Sequence, residues 1–460
     1  MTDTRHPTSS GASTPSLSTQ LLATARCVRA VEQGRSLSDV LPEVAAPLRP
    51  GVQALTFHVL RHLGTARAVV ASLAPRKPQP AVHALLCSAV ALLLDEGDER
   101  GAAGSAGARV PQYAAHTVVD QTVNAAREER GTARQAGFVN ACLRRFLRER
   151  TPLLASLADD PVARWNHPRW WIERLQRDHP AQWQAILEAS NQPGPMTLRV
   201  NRRHSSREAY RQALQDIGLA STPVGSDGLV LDAPQPVERL PGFAQGHCSV
   251  QDAAAQMAAG LLLEGREEAR IHRVLDACAA PGGKTAHLLE SADLDLLALD
   301  VDARRCARIQ DTLARLGLRA EVRCADAARP EAWWDGRLFD AILLDTPCTA
   351  SGIVRRHPDV RWLRRESDVA ALAATQRALL DTLWPLLRPG GRLLYATCSV
   401  FRAEGSAQVQ AFLEHHTDAR VRPSVGHLLP GSASAAGQFN DNHPGGYDGF
   451  FYARIDKAGP

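Results

Sequence analysis

Hydrophobic residues return at helical spacing through the first third of the chain. In five stretches, apolar side chains recur every three or four positions, as they do on a helix with one buried face. These stretches are residues 21–31, 52–63, 82–94, 113–126 and 138–147. The pattern predicts an all-α domain over residues 17–150, with a loop at 97–108. The Ser/Thr/Pro-rich segment 1–16 lacks this periodicity and predicts a disordered tail.

The next hundred residues mix two periodicities. Residues 171–189 and 206–217 have helical spacing, whereas residues 196–200 and 228–231 form short extended runs. This mixture predicts a linker and a small α/β subdomain over residues 151–250.

Beyond residue 250, short apolar runs alternate with helical stretches. Helices are predicted over residues 302–316 and 366–387, the second ending at Pro-Gly-Gly, residues 389–391. The predicted strands are residues 274–277, 296–300, 321–324, 341–344, 392–396 and 449–455. Such alternation predicts an α/β Rossmann-like domain with a doubly wound parallel sheet over residues 251–460.

Charge narrows the classes of partner. The net charge of +4 is unevenly spread, because residues 1–150 contain 18 Lys and Arg against 12 Asp and Glu, and the rest of the chain sums to −2. A basic module on a near-neutral body favours a polyanionic partner, although a solvated helix face has the same composition. Arg144 and Arg148 are four residues apart and share a helix face suited to phosphate contact.

Composition also excludes several classes. No apolar run is long enough to span a bilayer, and the N-terminus has no signal-peptide core, so a cytoplasmic protein without membrane contact is expected. The nine cysteines include no C-x-x-C pair, which argues against a disulfide framework and a structural zinc site. We therefore predict no metal site, and we expect a monomer.

A glycine-rich turn follows the first strand of the predicted sheet. Its glycines let the backbone approach a ligand, and the free N–H groups of the next helix face the same place. Asp300 and Asp326 end the following two strands, where they are placed for ribose hydroxyls and an adenine amino group. The predicted cofactor-binding residues of the turn are Cys278, Ala279, Ala280, Pro281, Gly282, Gly283 and Lys284.

The turn also distinguishes between cofactors. It is neither G-x-G-x-x-G nor G-x-x-x-x-G-K-[ST], which disfavours a dinucleotide oxidoreductase and a P-loop. S-adenosylmethionine fits best, because its adenosine needs a ribose carboxylate and it has no phosphates. Lys284 is predicted to orient the cofactor end of the site or a nearby carboxylate, with capping of the turn as the alternative. The side chain of Cys278 is predicted to pack.

Two further cysteines follow predicted strands. Cys348 closes the sequence Asp-Thr-Pro-Cys after strand 341–344, and Cys398 follows strand 392–396. Since chemistry in a parallel sheet collects where strands end, two thiols beside a cofactor turn predict a nucleophile and a helper. Two buried structural cysteines are the alternative.

These residues resemble a known family. The chain resembles the bacterial 16S rRNA cytosine-C5 methyltransferases of the RsmB type, also called Sun or Fmu, within the Sun family of RNA methyltransferases. Residues 17–150 look like the NusB-type RNA-binding module of this subgroup, a weaker match that depends mainly on residues 138–146. The matching segments are residues 276–285, 344–358 and 395–400, supported by 167–175, 198–201, 250–252 and 448–451.

The resemblance implies roles for the site residues. Cys398 is implied to attack C6 of cytosine and Cys348 to assist release, with Asp345 at the N3 edge of the base and beside the cofactor. DNA cytosine methyltransferases use a Pro-Cys cysteine as nucleophile, so the residues alone leave the two cysteine roles interchangeable.

The resemblance also implies an RNA partner. The expected substrate is 16S rRNA or a small-subunit assembly intermediate. Arg199, Asn201, Arg355 and Arg356 are candidate phosphate contacts, with a solvated surface role as the alternative for each. A tRNA cytosine-C5 methyltransferase and a non-catalytic rRNA-binding assembly factor are alternative functions, and the intact cysteines argue against the second.

Overall fold

The computed structural model describes residues 15–94, 112–431 and 447–459. These residues form two compact units, one of residues 15–94 with 112–166 and the other of the remainder from 167. Most of the predicted tail, the predicted loop 97–108 and residues 432–446 lie outside the described residues. In the part of the chain that the structure describes, no helix has both the length and the hydropathy needed to cross a membrane.

The first unit is all-α, as its periodicity predicts. Its fifth helix is buried on almost every side, so this helix forms the centre of the unit. The predicted helix 52–63 ends two residues early, and a separate helix follows it. The helices are α1 (Leu17–Glu32), α2 (Leu37–Val40), α3 (Arg49–Arg61), α4 (Leu63–Leu73), α5 (Pro80–Leu94), α6 (Ala115–Glu128), α7 (Ala136–Ser156) and α8 (Pro161–Trp165).

The first unit extends past the boundary that the sequence placed after residue 150. Helix α7 continues through this point with a kink at Glu149, three residues before Pro152, whose ring cannot fit a regular helix. The segment after α7 then returns to α4, where the Asn166 carboxamide oxygen accepts a hydrogen bond from the Thr65 backbone N–H at 2.9 Å. Residues 151–166 therefore pack with the helices that precede them, and the division between the units falls at 166/167.

The second unit begins with a small four-stranded antiparallel sheet of order β2-β3-β1-β4. The mixed helix and strand content predicted here is present. The single helix predicted over residues 171–189 is two helices, because Pro180 interrupts the backbone hydrogen bonding. The elements are α9 (Arg169–Asp178), α10 (Trp183–Ser190), β1 (Thr197–Val200), α11 (Arg207–Asp216), β2 (Ser221–Val224), β3 (Gly228–Leu231) and β4 (Cys248–Val250).

The rest of the second unit is the predicted Rossmann-like domain. Its eight-stranded sheet has the order β10-β12-β9-β8-β5-β6-β7, with β11 also paired to β12. Strands β5 to β9 are parallel, and β12 is antiparallel to β9. The elements are α12 (Ala253–Leu263), β5 (Arg273–Asp276), α13 (Gly283–Ser291), β6 (Asp295–Asp300), α14 (Ala303–Leu316), β7 (Glu321–Cys324), β8 (Phe339–Asp345), α15 (Val360–Leu363), α16 (Glu366–Leu383), β9 (Leu387–Thr397), α17 (Ser406–His415), β10 (Ala419–Val421), β11 (Gly426–Leu428) and β12 (Phe450–Lys457).

The Pro-Gly-Gly predicted to stop the helix before β9 lies inside the strand. Helix α16 ends at Leu383, and Leu387 already pairs with Phe339. The register then shifts, so that Ala341 pairs with Arg392. Residues 388–391 are therefore an irregularity in the ladder, which accommodates the missing N–H of proline.

The strand order places a cleft between β5 and β8. After β5 the chain builds the sheet in one direction through β6 and β7, and after β8 it builds in the other direction through β9. Loops leaving adjacent strands at such a switch point diverge and leave a crevice at their carboxyl ends. Asp276 and Asp345 end these two strands.

Each face of the sheet is covered by its own hydrophobic core. Leu343 and Leu394 lie in one cluster, whereas Ile342 and Leu393, one residue earlier on the same strands, lie in the other. This alternation follows from the pleat, which points successive side chains to opposite faces. Because both faces are buried, the register of β8 and β9 is fixed, and with it the position of the loops that follow them.

Candidate active site

The glycine-rich turn after β5 needs glycine at one position above all. Gly282 has φ +94°, and a Cβ added there would lie 3.1 Å from the Cα of Ile309. Gly283 then starts α13, and its missing Cβ would meet nothing closer than the Gln251 side chain at 3.4 Å. The positive φ and the close approach of α14 therefore require glycine at position 282, whereas Gly283 leaves room beside the start of α13.

The rest of the turn is anchored to its neighbours. The Ala279 N–H donates to the Leu299 carbonyl at 2.8 Å, and the Thr312 hydroxyl donates to the Pro281 carbonyl at 3.0 Å. Cys278 packs against the core on one face of the sheet, and burial raises the pKa of its thiol. The packing role predicted for this side chain agrees with these contacts.

Asp276 is fully buried behind the turn. The Thr285 hydroxyl donates to its Oδ2 at 2.6 Å, and no hydrogen-bond partner of Oδ1 is present among the described residues. Burial raises the pKa of Asp276 to about 7, and the Thr285 hydrogen bond opposes part of that shift. The carboxyl group therefore titrates near neutral pH in the folded protein.

Replacing Asp276 by asparagine is expected to change how stability depends on pH. A carboxyl with a raised pKa stabilises the fold fully below its unfolded pKa of about 3.9, and this contribution is lost as pH rises to about 7. We expect Asp276→Asn to match the wild type near pH 4 and to exceed it by about 2–4 kcal/mol at pH 8. Urea unfolding at the two pH values measures the difference.

The control for this substitution is Asp311→Asn on the exposed face of α14, which should leave the difference near zero at both pH values. An Asp276→Asn protein that is equally or less stable than the wild type at pH 8 would contradict the account of the buried carboxyl.

Asp300 and Asp326 lie at the ends of the next two strands. The Ala280 N–H and the Asp302 N–H donate to the carboxylate of Asp300 at 3.3 and 3.2 Å, and the Arg305 guanidinium lies 3.3 Å from it. Asp326 is half exposed after β7. Val301 follows Asp300 in the chain. Its apolar side chain is 68% exposed, so an uncovered hydrophobic surface lies next to Asp300.

The two cysteines that the sequence singled out meet in the cleft. The Sγ atoms of Cys348 and Cys398 are 3.3 Å apart, and both residues are half-buried free thiols. Two backbone hydrogen bonds join their loops, from the Thr346 N–H to the Ala396 carbonyl at 3.0 Å and from the Gly352 N–H to the Cys398 carbonyl at 2.9 Å. The positions of the two sulfur atoms are therefore fixed by backbone hydrogen bonds between the segments that follow β8 and β9.

The environment of Cys348 keeps it protonated. Its hydrogen bond to Cys398, its burial and the charges of Cys398 and Glu404 all raise the pKa of the Cys348 thiol well above its usual range. A protonated Cys348 can donate its S–H to the sulfur of Cys398.

Lys284 reaches across the cleft from the turn to the end of β8. Its Nζ donates to Asp345 Oδ2 at 2.7 Å and lies 5.4 Å from the centre of the Phe450 ring. Burial opposes the charged form, but the charges of Asp345 and Cys398 outweigh it and raise the pKa of Lys284. The contact with Asp345 agrees with one of the roles that the sequence left open for Lys284, the orientation of a nearby carboxylate.

Arg199 and Asn201 are buried, which corrects their prediction as RNA contacts. The side chain of Arg199 is fully buried, donating to both oxygens of Glu290 at 2.8 Å and to the Gly283 carbonyl at 2.7 Å. Asn201 donates to the Gly246 carbonyl at 3.0 Å from a buried position. Arg199 therefore supports the start of α13 instead of binding phosphate.

Arg355 and Arg356 are also drawn inward, and the prediction that they grip RNA is corrected in the same way. Arg355 is buried in an ion pair with Asp448. Arg356 bridges Asp448 at 2.6 Å and Asp252 at 2.7 Å and donates to the Pro195 carbonyl at 2.8 Å. Both guanidinium groups tie the Cys348 loop to the ends of other elements.

Arg144 and Arg148 are exposed on α7 in the first unit. The Arg144 Nε donates to the Asn140 carboxamide oxygen at 3.0 Å, and both guanidinium groups remain accessible. Their proposed contact with phosphate stays a prediction.

Sequence reasoning missed several residues of the site. Glu404, Gln376 and Tyr395 form a buried polar cluster behind the cysteine loops, and Asp252 and Asp448 hold the two arginines. Asp252, Tyr395 and Asp448 lie in segments that carry the family resemblance, whereas no spacing or motif marks Gln376 or Glu404. Among the described residues, no group of three His, Cys, Asp or Glu side chains could hold a metal ion.

Comparison with known sequences gives two family matches. Residues 261–456 match the family described as 16S rRNA methyltransferase RsmB/F, and residues 167–238 match the ferredoxin-like domain of RsmF/B-like methyltransferases. The second match runs from α9 to β3. It therefore covers the helices α9, α10 and α11 and three of the four strands of the small antiparallel sheet. The two matches together span most of the second unit.

Similar whole proteins cover nearly the full chain. The protein named ribosomal RNA small subunit methyltransferase B from Salmonella arizonae is 43% identical over 95% of this chain and 98% of its own length. Its namesake from Vibrio cholerae is 40% identical over 93% of this chain and 94% of its own length. The crystal structure of PH0851 matches the fold with a TM-score of 0.72 at 23% identity, over 96% of this chain and 99% of that one.

Proposed function

Because the chain belongs to the RsmB/F family of 16S rRNA methyltransferases, we propose that it methylates C5 of a specific cytosine in 16S rRNA through a covalent cysteine–C6 adduct. The observation that carries this proposal is the pair of thiols 3.3 Å apart in the cleft. Methylation at a ring nitrogen or a ribose hydroxyl needs no sulfur nucleophile, whereas methylation at C5 does.

S-adenosylmethionine is the methyl donor. Bound in the cleft, it supplies an electrophilic methyl group on its sulfonium. The residues fit it: Gly283 leaves room beside the N-terminus of α13, Asp300 ends β6 where a ribose is expected, and Asp326 follows β7 where an adenine amino group is expected. The exposed Val301 provides an apolar surface for the adenine ring.

Cytosine C5 is not nucleophilic enough to accept a methyl group unaided. We assign the activating step to Cys398, whose thiolate adds to C6 and turns C5 into the nucleophilic carbon of an enamine. The Cys348 sulfur lies 3.3 Å away, close enough for its S–H to donate to the Cys398 sulfur as negative charge forms there. The ammonium of Lys284 supports negative charge at this end of the cleft.

Asp345 is assigned to the base itself. Addition of a thiolate at C6 pushes electron density towards N3, which then needs a proton or a hydrogen bond. Lys284 binds Oδ2 of Asp345 and so fixes the orientation of the carboxyl group at the carboxyl end of β8. We place its other oxygen, carrying a proton, at the N3 edge of the cytosine, so that this proton passes to N3 as the thiolate adds and returns to Asp345 when the thiolate leaves.

Cys348 is assigned to the end of the reaction. Once Cys398 is bonded to C6, the hydrogen bond and the charge that hold the Cys348 proton in place are lost, and its pKa falls. Cys348 can then release its own proton to solvent and, as a thiolate, take the proton from C5. The C6–S bond breaks as the C5–C6 double bond re-forms, which releases 5-methylcytosine and the Cys398 thiolate.

The first unit is assigned to substrate binding as a NusB-like module. Its exposed arginines, Arg144 and Arg148 among them, offer guanidinium groups to phosphates. A base inside a paired helix cannot reach two half-buried thiols, so the target cytosine must be unpaired or flipped out of its stack.

The activity is tested with the purified chain, methyl-labelled S-adenosylmethionine and three RNAs made without modification: 16S rRNA, 23S rRNA and tRNA. We expect label in 16S rRNA alone, recovered as 5-methylcytidine after digestion. With 16S rRNA carrying tritium at C5 of cytosine, one tritium should be released for each methyl group transferred. Label in tRNA, or transfer without tritium release, would contradict the proposed substrate or the proposed carbon respectively.

A further inference from the structure

A buried carboxylate lies directly behind the two cysteine loops. Glu404 ends the short helical turn Arg402–Glu404 that follows β9, and its side chain is entirely inaccessible to solvent. Taking a carboxylate out of water is costly unless other groups replace its hydration. Among the described residues, no lysine, arginine or histidine forms an ion pair with Glu404. Hydrogen-bond donors must therefore hold the charge.

The donors to Glu404 come from the residues that follow each cysteine. The Thr349 N–H donates to Oε1 at 2.8 Å, and the Thr349 hydroxyl donates to Oε2. The Ser399 hydroxyl donates to the same Oε2 at 2.6 Å. Thr349 is the residue after Cys348, and Ser399 is the residue after Cys398. One carboxylate thus binds both loops, immediately beside the two sulfur atoms.

A glutamine completes the arrangement. Gln376 Nε2 donates to Glu404 Oε1 at 3.2 Å and to the Pro347 carbonyl at 2.9 Å, and Pro347 precedes Cys348. The Tyr395 hydroxyl donates to the Gln376 carboxamide oxygen at 3.2 Å and to the Glu404 carbonyl at 2.8 Å. The Cys348 loop is therefore fixed on both sides of the sulfur by groups that bind Glu404.

We propose that Glu404 is the positioning residue that sets the distance and orientation between Cys348 and Cys398. The proposal rests on the catalytic roles proposed above for the two cysteines. A carboxylate has acceptor sites for all four donors, whereas glutamine has one acceptor oxygen, so its NH₂ group would face the Thr349 and Ser399 hydroxyls and these would have to accept instead of donate. Charge-assisted hydrogen bonds are also shorter and stronger than neutral ones, so they define position more tightly.

A purely structural role for Glu404 predicts a different result. If Glu404 only stabilised the fold, its loss would lower the melting temperature and leave the turnover of the remaining folded protein unchanged. If Glu404 positions the thiols, its loss slows the reaction itself, because Cys398 must add to C6 and Cys348 must then remove the C5 proton from a fixed position. A displacement of a reacting group by 1 Å can slow catalysis by about 100-fold.

The test is Glu404→Gln in the full chain, with Glu414→Gln on the exposed face of α17 as the matched control. We expect kcat for 16S rRNA to fall about 10- to 100-fold, with KM for RNA and for S-adenosylmethionine within about twofold of wild type. Part of the Glu404→Gln protein should migrate as an RNA adduct on a denaturing gel, because release is slowed. A normal kcat, or a loss confined to KM, would overturn the proposal.

Two smaller variants keep the test decisive if Glu404→Gln folds poorly. Thr349→Val and Ser399→Ala each remove one hydroxyl donor to the carboxylate and leave it in place. We expect each to lower kcat by about fivefold with little change in melting temperature. Wild-type kcat in both variants would also overturn the proposal.

The reactivity of the free thiols separates this proposal from the proposed function. Timed alkylation followed by peptide mass spectrometry reports Cys348 and Cys398 individually, and the exposed Cys324 serves as the internal reference. We expect Glu404→Gln to speed alkylation of both site cysteines about fivefold relative to Cys324, because their loops loosen. If the wild type transfers no methyl group to RNA but this change occurs, the proposed function fails and the positioning role stands. Unchanged alkylation overturns the positioning role in either case.

Discussion

Replacing Cys398 by alanine is expected to reduce methyl transfer to 16S rRNA by about 10,000-fold or more. Without a sulfur at this position nothing adds to C6, and C5 stays a poor nucleophile. Cys348 cannot substitute, because its loop is fixed by the pairing of β8 with β9, which holds its sulfur 3.3 Å from the position of the nucleophilic sulfur. Single-turnover transfer of a labelled methyl group measures the loss.

The matched control is Cys324→Ala, which removes an exposed thiol outside the cysteine pair. It should retain wild-type activity. Binding of S-adenosylmethionine and the melting temperature of Cys398→Ala should also match the wild type, since a half-buried sulfur is replaced by a smaller apolar group. A Cys398→Ala protein that still methylates at more than about one hundredth of the wild-type rate would contradict the assignment of the nucleophile.

Replacing Cys348 by alanine is expected to leave the first half of the reaction intact and block the second. Cys398 still adds to C6 and the methyl group still reaches C5, but the base for the C5 proton is missing. Release is then slowed by about 100- to 10,000-fold, the usual contribution of a general base, and a covalent protein–RNA adduct accumulates. A denaturing protein gel shows it as a slow band that disappears after nuclease treatment.

The Cys348→Ala/Cys398→Ala double variant is the control for this experiment, and it should give no band. A band that persists in the double variant would mean that neither cysteine forms the adduct. Absence of a band in Cys348→Ala, with methyl transfer continuing at the wild-type rate, would show that Cys348 has no role in release.

The alternation of apolar and helical stretches was sufficient to predict the architecture of the catalytic half. Strand β7 was predicted to the residue, and β5, β6, β8 and β12 to within two residues at either end. Strands β5, β6 and β8 are short apolar runs that are mostly buried, so the local pattern and the tertiary environment agree, whereas β7 is a partly exposed strand at the edge of the sheet. The start of β9 was missed because the register shift at residues 388–391 depends on the neighbouring strand.

The part of the site that faces the cleft was also predictable. A positive φ at Gly282, a carboxylate at the end of a strand and a cysteine after a strand follow from local sequence and from the rule that ligands bind at strand ends. The sequence left Lys284 between the cofactor end of the site, a nearby carboxylate and capping of the turn, and it did not identify Asp345 as the partner.

The supporting network could not be predicted. Arg199 and Arg355 look like solvent-exposed arginines in the sequence, because arginine is usually exposed. Their burial depends on Glu290 and Asp448, which lie 91 and 93 residues further along the chain. Glu404 is hidden for the same reason, since its donors come from three separate elements. Long-range pairs of this kind leave no periodicity in the sequence.

The central claim is most directly tested by identifying the atom pair joined in the trapped adduct. Cys348→Ala is incubated with S-adenosylmethionine and unmodified 16S rRNA, digested with protease and nuclease, and analysed by mass spectrometry. The account predicts a single modified peptide in which Cys398 carries a methylated cytidine. A nucleotide on any other residue, or an adduct-free enzyme whose RNA product carries its methyl group elsewhere than on cytosine C5, would contradict it.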